Sequence, residues 1–351
     1  MAKIKKVKAA VIGCGRIGAF TRKELFRTLP KSYFPLNHCA AVSATPGVTL
    51  VAVCDTNLES ARKAAAAYGV KTFYTDFKKM IIEQSPEIVT IATRTAGRTD
   101  IIHFAANHGV KGIFIEKPLA TNLRDAKKAM RAVRENNVAL GYGTSRRYMP
   151  VYRQAKKIVE SGRFGTLVQI ATSFGQTTLM WSHPHTIDLI NFFANDAQID
   201  YVQSSFEYNK KEVGKNKIDF DPVLDFGFIK FKNGLSGLIT SIRARDVELS
   251  CEKGKLLISE NGECLQSFSE KGESRKLKIK TGKSGIVVAL AEIRDFISHN
   301  KKVSMSAEEM LKEQRILLAL GCSGVAFGKK IRLSEVQDDF TITGRTGELY
   351  P

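Results

Sequence analysis

Val11-Ile12-Gly13-Cys14-Gly15-Arg16-Ile17-Gly18 decides how the chain begins to fold. The residues leading into it, Lys8 to Ile12, are short, apolar and rich in Ala, Val and Ile, as a buried parallel strand is. Three glycines follow at GxGxxG spacing. The first, Gly13, permits a tight turn, and the second, Gly15, lets the backbone approach a pyrophosphate. The third, Gly18, lets a helix pack closely on the strand. A helix starting there would aim free N–H groups and its positive dipole end at the phosphates. Ile17, Phe20 and Leu25 suit the buried face of such a helix. The spacing alone also fits an ordinary glycine-rich turn. The strand before it and the expected helix after it favour the nucleotide reading.

A dinucleotide fingerprint also asks for an acid at the end of the second strand. Leu50-Val51-Ala52-Val53-Cys54-Asp55 supplies Asp55. A carboxylate there accepts ribose hydroxyls and repels a 2′-phosphate, which favours NAD over NADP. Asp55 comes later than the usual spacing of about 20 residues. The extra length lies in Thr28 to Pro46 and reads as a longer first helix plus an inserted loop. Asp55 can instead be a helix-start residue, because Thr56-Asn57-Leu58-Glu59 resembles a capping box. Arg16, in the glycine turn, can contact phosphate and keeps NADP open.

Strands and helices keep alternating. Ala61, Ala64, Ala65 and Tyr68 form a helix face closed by Gly69. Glu87 to Thr93 reads as a strand, and in a doubly wound sheet ligands lie beyond the carboxyl ends of strands. Thr93, Arg94 and Thr95 are therefore candidates to line a cofactor, or are ordinary loop caps. Gly112-Ile113-Phe114-Ile115-Glu116-Lys117-Pro118 follows. Next come a helix marked by Ala126, Ala129, Met130 and Val133, and a strand from Val138 to Tyr142. The alternation stops near residue 165. Beyond it, Tyr201 to Glu207, Val223 to Phe231, Ser236 to Arg243, Val247 to Cys251 and Lys255 to Ile258 read as strands of an α+β domain with a large, mostly antiparallel open sheet. A helix carrying Leu290, Ile293, Phe296 and Ile297 follows, and Ser306-Ala307-Glu308-Glu309 opens another with a capping box. The expected architecture is α/β: an N-terminal doubly wound domain over residues 1–145, then an α+β domain over 146–351. The tail after Val336, with Gly344 and Gly347, reads as an arm or a loose end.

Composition agrees. A chain of 351 residues, 43% of them hydrophobic, suits two domains. No apolar run is long enough to span a bilayer. The basic start Met1-Ala2-Lys3-Ile4-Lys5-Lys6 precedes too short an apolar stretch for a signal peptide. Six scattered cysteines lack metal-site spacing and read as free thiols in a cytoplasmic protein, so no metal is expected. The net charge of +19 is spread along the chain, densest from Lys271 to Lys283. There, Lys276-Leu277-Lys278-Ile279-Lys280 alternates like a strand with a solvated basic face. Such charge suits a soluble surface, or steers an anionic ligand to its site. Nucleic acid is not expected as a partner, because no nucleic-acid motif accompanies the charge.

Taken together, these motifs resemble those of the glucose–fructose oxidoreductase / inositol dehydrogenase / rhizopine-catabolism (Gfo/Idh/MocA) family. Gly13 to Gly18 is similar to its nucleotide motif, which in that family opens a Rossmann domain. Glu116-Lys117-Pro118 resembles its signature tripeptide. Arg146 to Tyr152 resembles the entry to its second domain, Gly162-Arg163-Phe164-Gly165 a following turn, and His185-Thr186-Ile187-Asp188-Leu189 the helix bearing its histidine. Ala291 to Phe296 and Ala319 to Gly328 resemble its closing helices. The likeness runs over most of the chain.

The resemblance implies a nicotinamide-dependent enzyme acting on a secondary hydroxyl of a sugar, polyol or sugar nucleotide. NAD is the implied cofactor, with NADP possible as the alternative, and assembly is as a homodimer or homotetramer. His185 would be the acid/base and Lys117 the cation beside the reacting hydroxyl. Glu116 would orient that lysine or cap the turn. Arg147, Tyr148, Trp181, His185 and Asp188 would face substrate, as would Tyr152. Asp188 lies at i+3 from His185, on the same helix face. Plainer readings stand beside these: His183 as the rival histidine, Lys117 as a surface lysine, Arg147 as a structural ion-pair residue, Trp181 as core.

Two features depart from the family pattern. Many members carry an aspartate four residues before the histidine, where this chain has Trp181. Gln176-Thr177-Thr178-Leu179-Met180 replaces the glycine-rich stretch before it. Both weaken an assignment to inositol dehydrogenase in particular. They keep open a regulator that binds dinucleotide without turnover, and an imine or enone reductase.

Overall fold

The structure, a computed structural model, describes residues 6–195, 197–279 and 282–344. The start of the chain before Lys6, Lys280 and Gly347 lie outside these residues. Among the described residues the chain forms two compact units.

The first unit comprises residues up to Ala120, Asp125–Tyr148 and Lys283–Leu311. Its sheet contains β1 (Val7–Ile12), β2 (Val48–Cys54), β3 (Thr72–Tyr74), β4 (Ile88–Ile91), β5 (Gly112–Ile115) and β6 (Ala139–Tyr142) in the order β3-β2-β1-β4-β5-β6. All neighbouring pairs are parallel. β4, β5 and β6 are buried along their whole length, as strands covered on both faces must be. Order reverses between β1 and β4, so the carboxyl ends of these two strands flank a switch point, where doubly wound sheets bind ligands.

The expected helix faces hold for Ala61, Ala64 and Ala65 and for Ala126, Ala129, Met130 and Val133, all buried. The helix Gly285–His299 also packs on this sheet. A Cβ on Gly112 would stand 2.1 Å from Ile293 Cγ2, so glycine at that strand position lets the helix settle. The unit therefore takes residues from both sides of position 145.

The helix after the glycine turn differs from expectation. Ala19 and Phe20 both donate to the Gly15 carbonyl, and then the chain leaves the helix path. It returns at Asn37 and forms the helix His38–Ala44, where the N–H groups of His38 and Cys39 take the Ile17 and Gly18 carbonyls at 2.8 and 2.9 Å. One helix has thus been opened after its first turn and an excursion spliced in. Phe20, expected on a buried face, is 42% exposed because it sits in that excursion. A short helix, Leu25–Thr28, and a stacked Phe26–Phe34 pair give the excursion local order.

The second unit comprises Thr121–Arg124, Met149–Gly282 and the chain from Lys312 onward. Its strands are β7 (Leu167–Phe174), β8 (Ile199–Ser205), β9 (Val213–Gly214), β10 (Lys217–Ile218), β11 (Phe226–Phe231), β12 (Ser236–Thr240), β13 (Arg243–Cys251), β14 (Gly254–Ser259), β15 (Cys264–Ser269), β16 (Ser274–Lys276) and β17 (Thr341–Ile342). Eight form a sheet ordered β16-β15-β14-β13-β7-β12-β11-β8, antiparallel except for the β7–β12 pair. The sheet is of the mostly antiparallel kind expected, but its central strand, β7, carried no reading in the sequence. The basic alternation is not a strand over Leu277–Ile279: β16 ends at Lys276. Part of the tail is ordered, since β17 pairs with β10. No helix of the described residues is long and apolar enough to cross a membrane.

Candidate active site

The glycine turn follows β1. Gly13 has φ +94°, and a Cβ there would meet the Ala92 carbonyl oxygen at 2.8 Å. Gly18 is tighter still: its Cβ would fall 1.7 Å from the Gly13 oxygen. Gly15, by contrast, is exposed, and a Cβ there would meet nothing within 4 Å. Two glycines thus close the turn while the third leaves open backbone, as a cradle for pyrophosphate requires. Arg16 and Ile17 are half-buried beside it.

Asp55, at the end of β2, is held against this turn. Its Oδ2 accepts the Cys14 N–H at 2.7 Å and its Oδ1 the Asn57 N–H at 2.9 Å. The helix that follows is capped by Asn57, which accepts from Ser60. The helix-start role belongs to Asn57, and Asp55 serves the glycine turn. A carboxylate has about four lone-pair sites, so room is left on Asp55 for ribose hydroxyls. Open backbone at Gly15 and a fixed acid at Asp55 fit a dinucleotide.

The turn Glu116-Lys117-Pro118 follows β5, two strands from β1. Nothing in its local sequence marks what organises it. Arg98, only 2% exposed, donates through Nη1 to the carbonyls of Glu116, at 2.5 Å, and Pro118, and through Nη2 to that of Thr93. One guanidinium therefore ties together the ends of β4 and β5. Burial lowers its pKa to about 10, against Glu116, which favours its charge, so it stays charged at neutral pH. Thr93 hydroxyl donates to the Arg94 carbonyl and Thr95 accepts the Arg98 N–H, so this loop is tied locally as well as placed at the strand end. Burial works against the Glu116 carboxylate, but His38, Lys117 and Arg98 outweigh it and hold its pKa below the ordinary value.

Arg147 and Tyr148 turn inward. Arg147 is 1% exposed and donates through Nη1 to the Ser304 carbonyl at 3.0 Å and to Glu309 Oε1 at 3.3 Å. The other Glu309 oxygen closes the capping box with Ser306, as the sequence predicts. Tyr148 hydroxyl accepts the Tyr142 N–H. Tyr152 is wholly buried and packs against Gly262. All three are buried within their units.

The second unit carries Trp181, His185 and Asp188. His185 is half-buried in the first turn of the helix Pro184–Ala194, and Asp188 is fully buried one turn later. Trp181 is 36% exposed. The loop bearing it is fixed by Asp221, unmarked in the sequence, which accepts the N–H groups of Met180 and Trp181 at 2.7 and 3.1 Å.

His183 is 1% exposed, with Nδ1 3.1 Å from Thr186 Oγ1, and burial depresses its pKa to about 4. An imidazole buried in this way is held neutral. Its folded pKa lies below the unfolded value of about 6.5, so the unfolded chain binds the extra proton first as pH falls. Stability contributed here is therefore present above pH 6.5 and lost between about 6.5 and 4, to the extent of about 3 kcal/mol. Melting temperature followed over that range should fall less in His183→Gln than in the wild type. Parallel curves would show that His183 is not the titrating group.

Residues 7–144 match the family model described as "Oxidoreductase family, NAD-binding Rossmann fold" (GFO_IDH_MocA). Over these residues the chain is similar to the Gfo/Idh/MocA oxidoreductases. Among curated relatives, scyllo-inositol 2-dehydrogenase (NAD(+)) of Bacillus subtilis (strain 168) is 32% identical over 160 residues, 46% of this chain and 42% of that protein. D-apiose dehydrogenase of Paraburkholderia graminis is 29% identical over 163 residues, 46% of this chain and 39% of that one. The matched stretch thus spans about two fifths of these relatives' length. The likeness of fold extends further than the likeness of sequence. An Agrobacterium radiobacter oxidoreductase solved with NAD+, L-tartaric acid and magnesium superposes over 94% of this chain and 99% of its own, with TM-score 0.74 and 18% identity.

Proposed function

We propose that this chain is an NAD-dependent oxidoreductase that acts on a secondary alcohol, or the corresponding ketone, of a sugar, polyol or sugar derivative. Free and nucleotide-linked sugars both fall within that class. The observation that carries the reading is the conjunction, in one unit, of the Gly13–Gly18 cradle, the Asp55 carboxylate fixed against it and the Arg98-organised turn that presents Lys117. The names of the inositol and apiose dehydrogenases support the substrate class.

In the proposed reaction, Gly15 and its neighbours bind the pyrophosphate and Asp55 the ribose, with Arg16 and the Thr93-Arg94-Thr95 loop beside them. When bound, the nicotinamide accepts or returns a hydride. Lys117 donates a hydrogen bond to the reacting oxygen and stabilises the negative charge that develops there. His185 takes the hydroxyl proton, and gives it back in the reductive direction. Asp188, buried on the same helix, orients the His185 side of the site. Trp181 offers a flat apolar surface to a sugar ring. Without the family aspartate, the proton step rests on His185 alone, with Asp188 as its nearest carboxylate along the helix.

The direct test is absorbance at about 340 nm, where reduced nicotinamide absorbs, with NAD or NADP against inositols, free sugars, sugar phosphates and nucleotide sugars. Turnover with one class names the substrate. Tight dinucleotide binding with no turnover in either direction would sink the enzyme reading in favour of a ligand-sensing regulator. Cofactor choice has its own test. Asp55→Asn keeps an acceptor for the Cys14 N–H but removes the charge that repels a 2′-phosphate. The NADP-to-NAD ratio of kcat/KM should rise by about tenfold or more. An unchanged ratio would remove Asp55 from the ribose site.

A further inference from the structure

The spliced helix delivers one side chain to the Lys117 turn. Its restart point is heavily fixed. Asn37 Oδ1 caps the Ala40 N–H at 2.8 Å and accepts the Tyr68 hydroxyl at 3.0 Å, while Asn37 Nδ2 donates to Thr21 Oγ1. The same Tyr68 hydroxyl reaches the Ala19 carbonyl at 2.7 Å, joining the two ends of the excursion. The first residue after this junction is His38, and its side chain has no exposed surface. The ring stands edge-on to Phe114, with centroids 5.1 Å apart, and Nε2 lies 3.3 Å from Glu116 Oε1.

The Glu116 carboxylate is boxed in from elsewhere too. A Cβ on Gly143 would stand 2.8 to 3.0 Å from its carboxylate atoms, so this carboxylate occupies the space that a side chain at 143 would need. Its main-chain carbonyl is held by Arg98. The groups bearing charge on Glu116 are His38, Lys117 and Arg98, and Tyr142 bears on Arg98. A buried carboxylate is costly unless its oxygens are met by donors. The Nε2–H tautomer of His38 meets one.

We propose that His38 is a positioning residue: by donating Nε2–H to Glu116 it fixes that carboxylate in its ionised form beside Lys117, and so keeps Lys117 an ammonium. This assigns a task to the resumed helix, and it rests on the reading of Lys117 as the cation of the reaction. Glu116 held as an anion favours the charged form of its neighbour. Losing the His38 donor lets Glu116 take up a proton or swing away, and the Lys117 ammonium then gives up its proton more readily.

The test needs no substrate. Trace acetylation with acetic anhydride, quantified at the Lys117 peptide across a pH series, reports how much of Lys117 is unprotonated. In His38→Leu the Lys117 profile should move down by about one pH unit, giving about tenfold more labelling at pH 8. His38→Gln, which keeps an N–H donor, should restore most of the wild-type profile, and Glu116→Gln should reproduce the His38→Leu shift. Should His38→Leu fail to fold, the Gln pair carries the test. Matching profiles in wild type and Glu116→Gln would overturn the proposal, as would a His38→Gln profile indistinguishable from that of His38→Leu. A shifted profile together with full turnover by Lys117→Ala would leave the positioning role standing and sink the role of Lys117 in the reaction.

Discussion

Lys117→Ala and His185→Ala are each expected to lower NAD-linked turnover by about 10²–10⁴-fold in kcat. The two losses should differ in character. Lys117 is the group assigned to charge developing on oxygen, which is largest in the transition state, so its removal should reduce kcat and kcat/KM alike. His185 is assigned to the proton, so its removal should also flatten the acid limb of the pH–rate profile. His185→Ala should change the melting temperature little, because His185 is only half-buried, whereas Lys117→Ala should lower it, because Lys117 is buried and favours the Glu116 carboxylate. NAD+ affinity measured by calorimetry should survive in His185→Ala, since the glycine cradle and Asp55 belong to the other unit. Retained turnover in either variant would remove that residue from the chemistry. The second prediction concerns the support beneath Lys117.

Arg98→Met is expected to destabilise the first unit by about 3 kcal/mol and to weaken NAD+ binding at the same time. The guanidinium supplies donors to the Thr93, Glu116 and Pro118 carbonyls, and methionine supplies none. Each buried acceptor left without its donor costs about 1–3 kcal/mol, less what relaxation and water recover. Methionine keeps most of the buried volume, so the loss is one of hydrogen bonds and charge. Arg98→Lys should recover only part, because one ammonium lacks the planar fork that reaches three carbonyls. Thermal melts and calorimetric NAD+ titrations of the two variants test this. An Arg98→Met protein melting like the wild type would show that the three carbonyls do not depend on this side chain.

Much of the first unit was legible because its signals are local. An apolar run before GxGxxG can only be a buried strand feeding a close turn. The acid after the second apolar run landed against that turn despite its late position. Alternating apolar faces at Ala61 to Ala65 and Ala126 to Val133 follow helical spacing, and burial obeyed it. The second unit was less legible. β7 lies in the middle of its sheet, parallel to β12 and antiparallel to β13, yet only two of its eight residues are buried, which blurs the apolar signature. The excursion between Ala19 and Asn37 misled the helix reading, because apolar residues at 20 and 25 happen to fall at helical spacing while the chain has already left the helix.

The sequence by itself determined the parallel sheet, the glycine turn and the acid at Asp55, while Lys117 and His185 stood out through the family resemblance. The first three depend on residue type at short range: glycine where a Cβ cannot fit, carboxylate at a strand end. Tertiary structure alone decided that Arg98 and His38 serve the Lys117 turn, 18 and 78 residues away from Glu116 in the chain. It also decided that Arg147 bonds to Glu309, 162 residues on, and that Asp221 steadies the loop of Trp181 from 40 residues away. No periodicity encodes such pairings. A buried polar group needs a partner of the right chemistry, and which distant residue supplies it is settled only when the chain has packed.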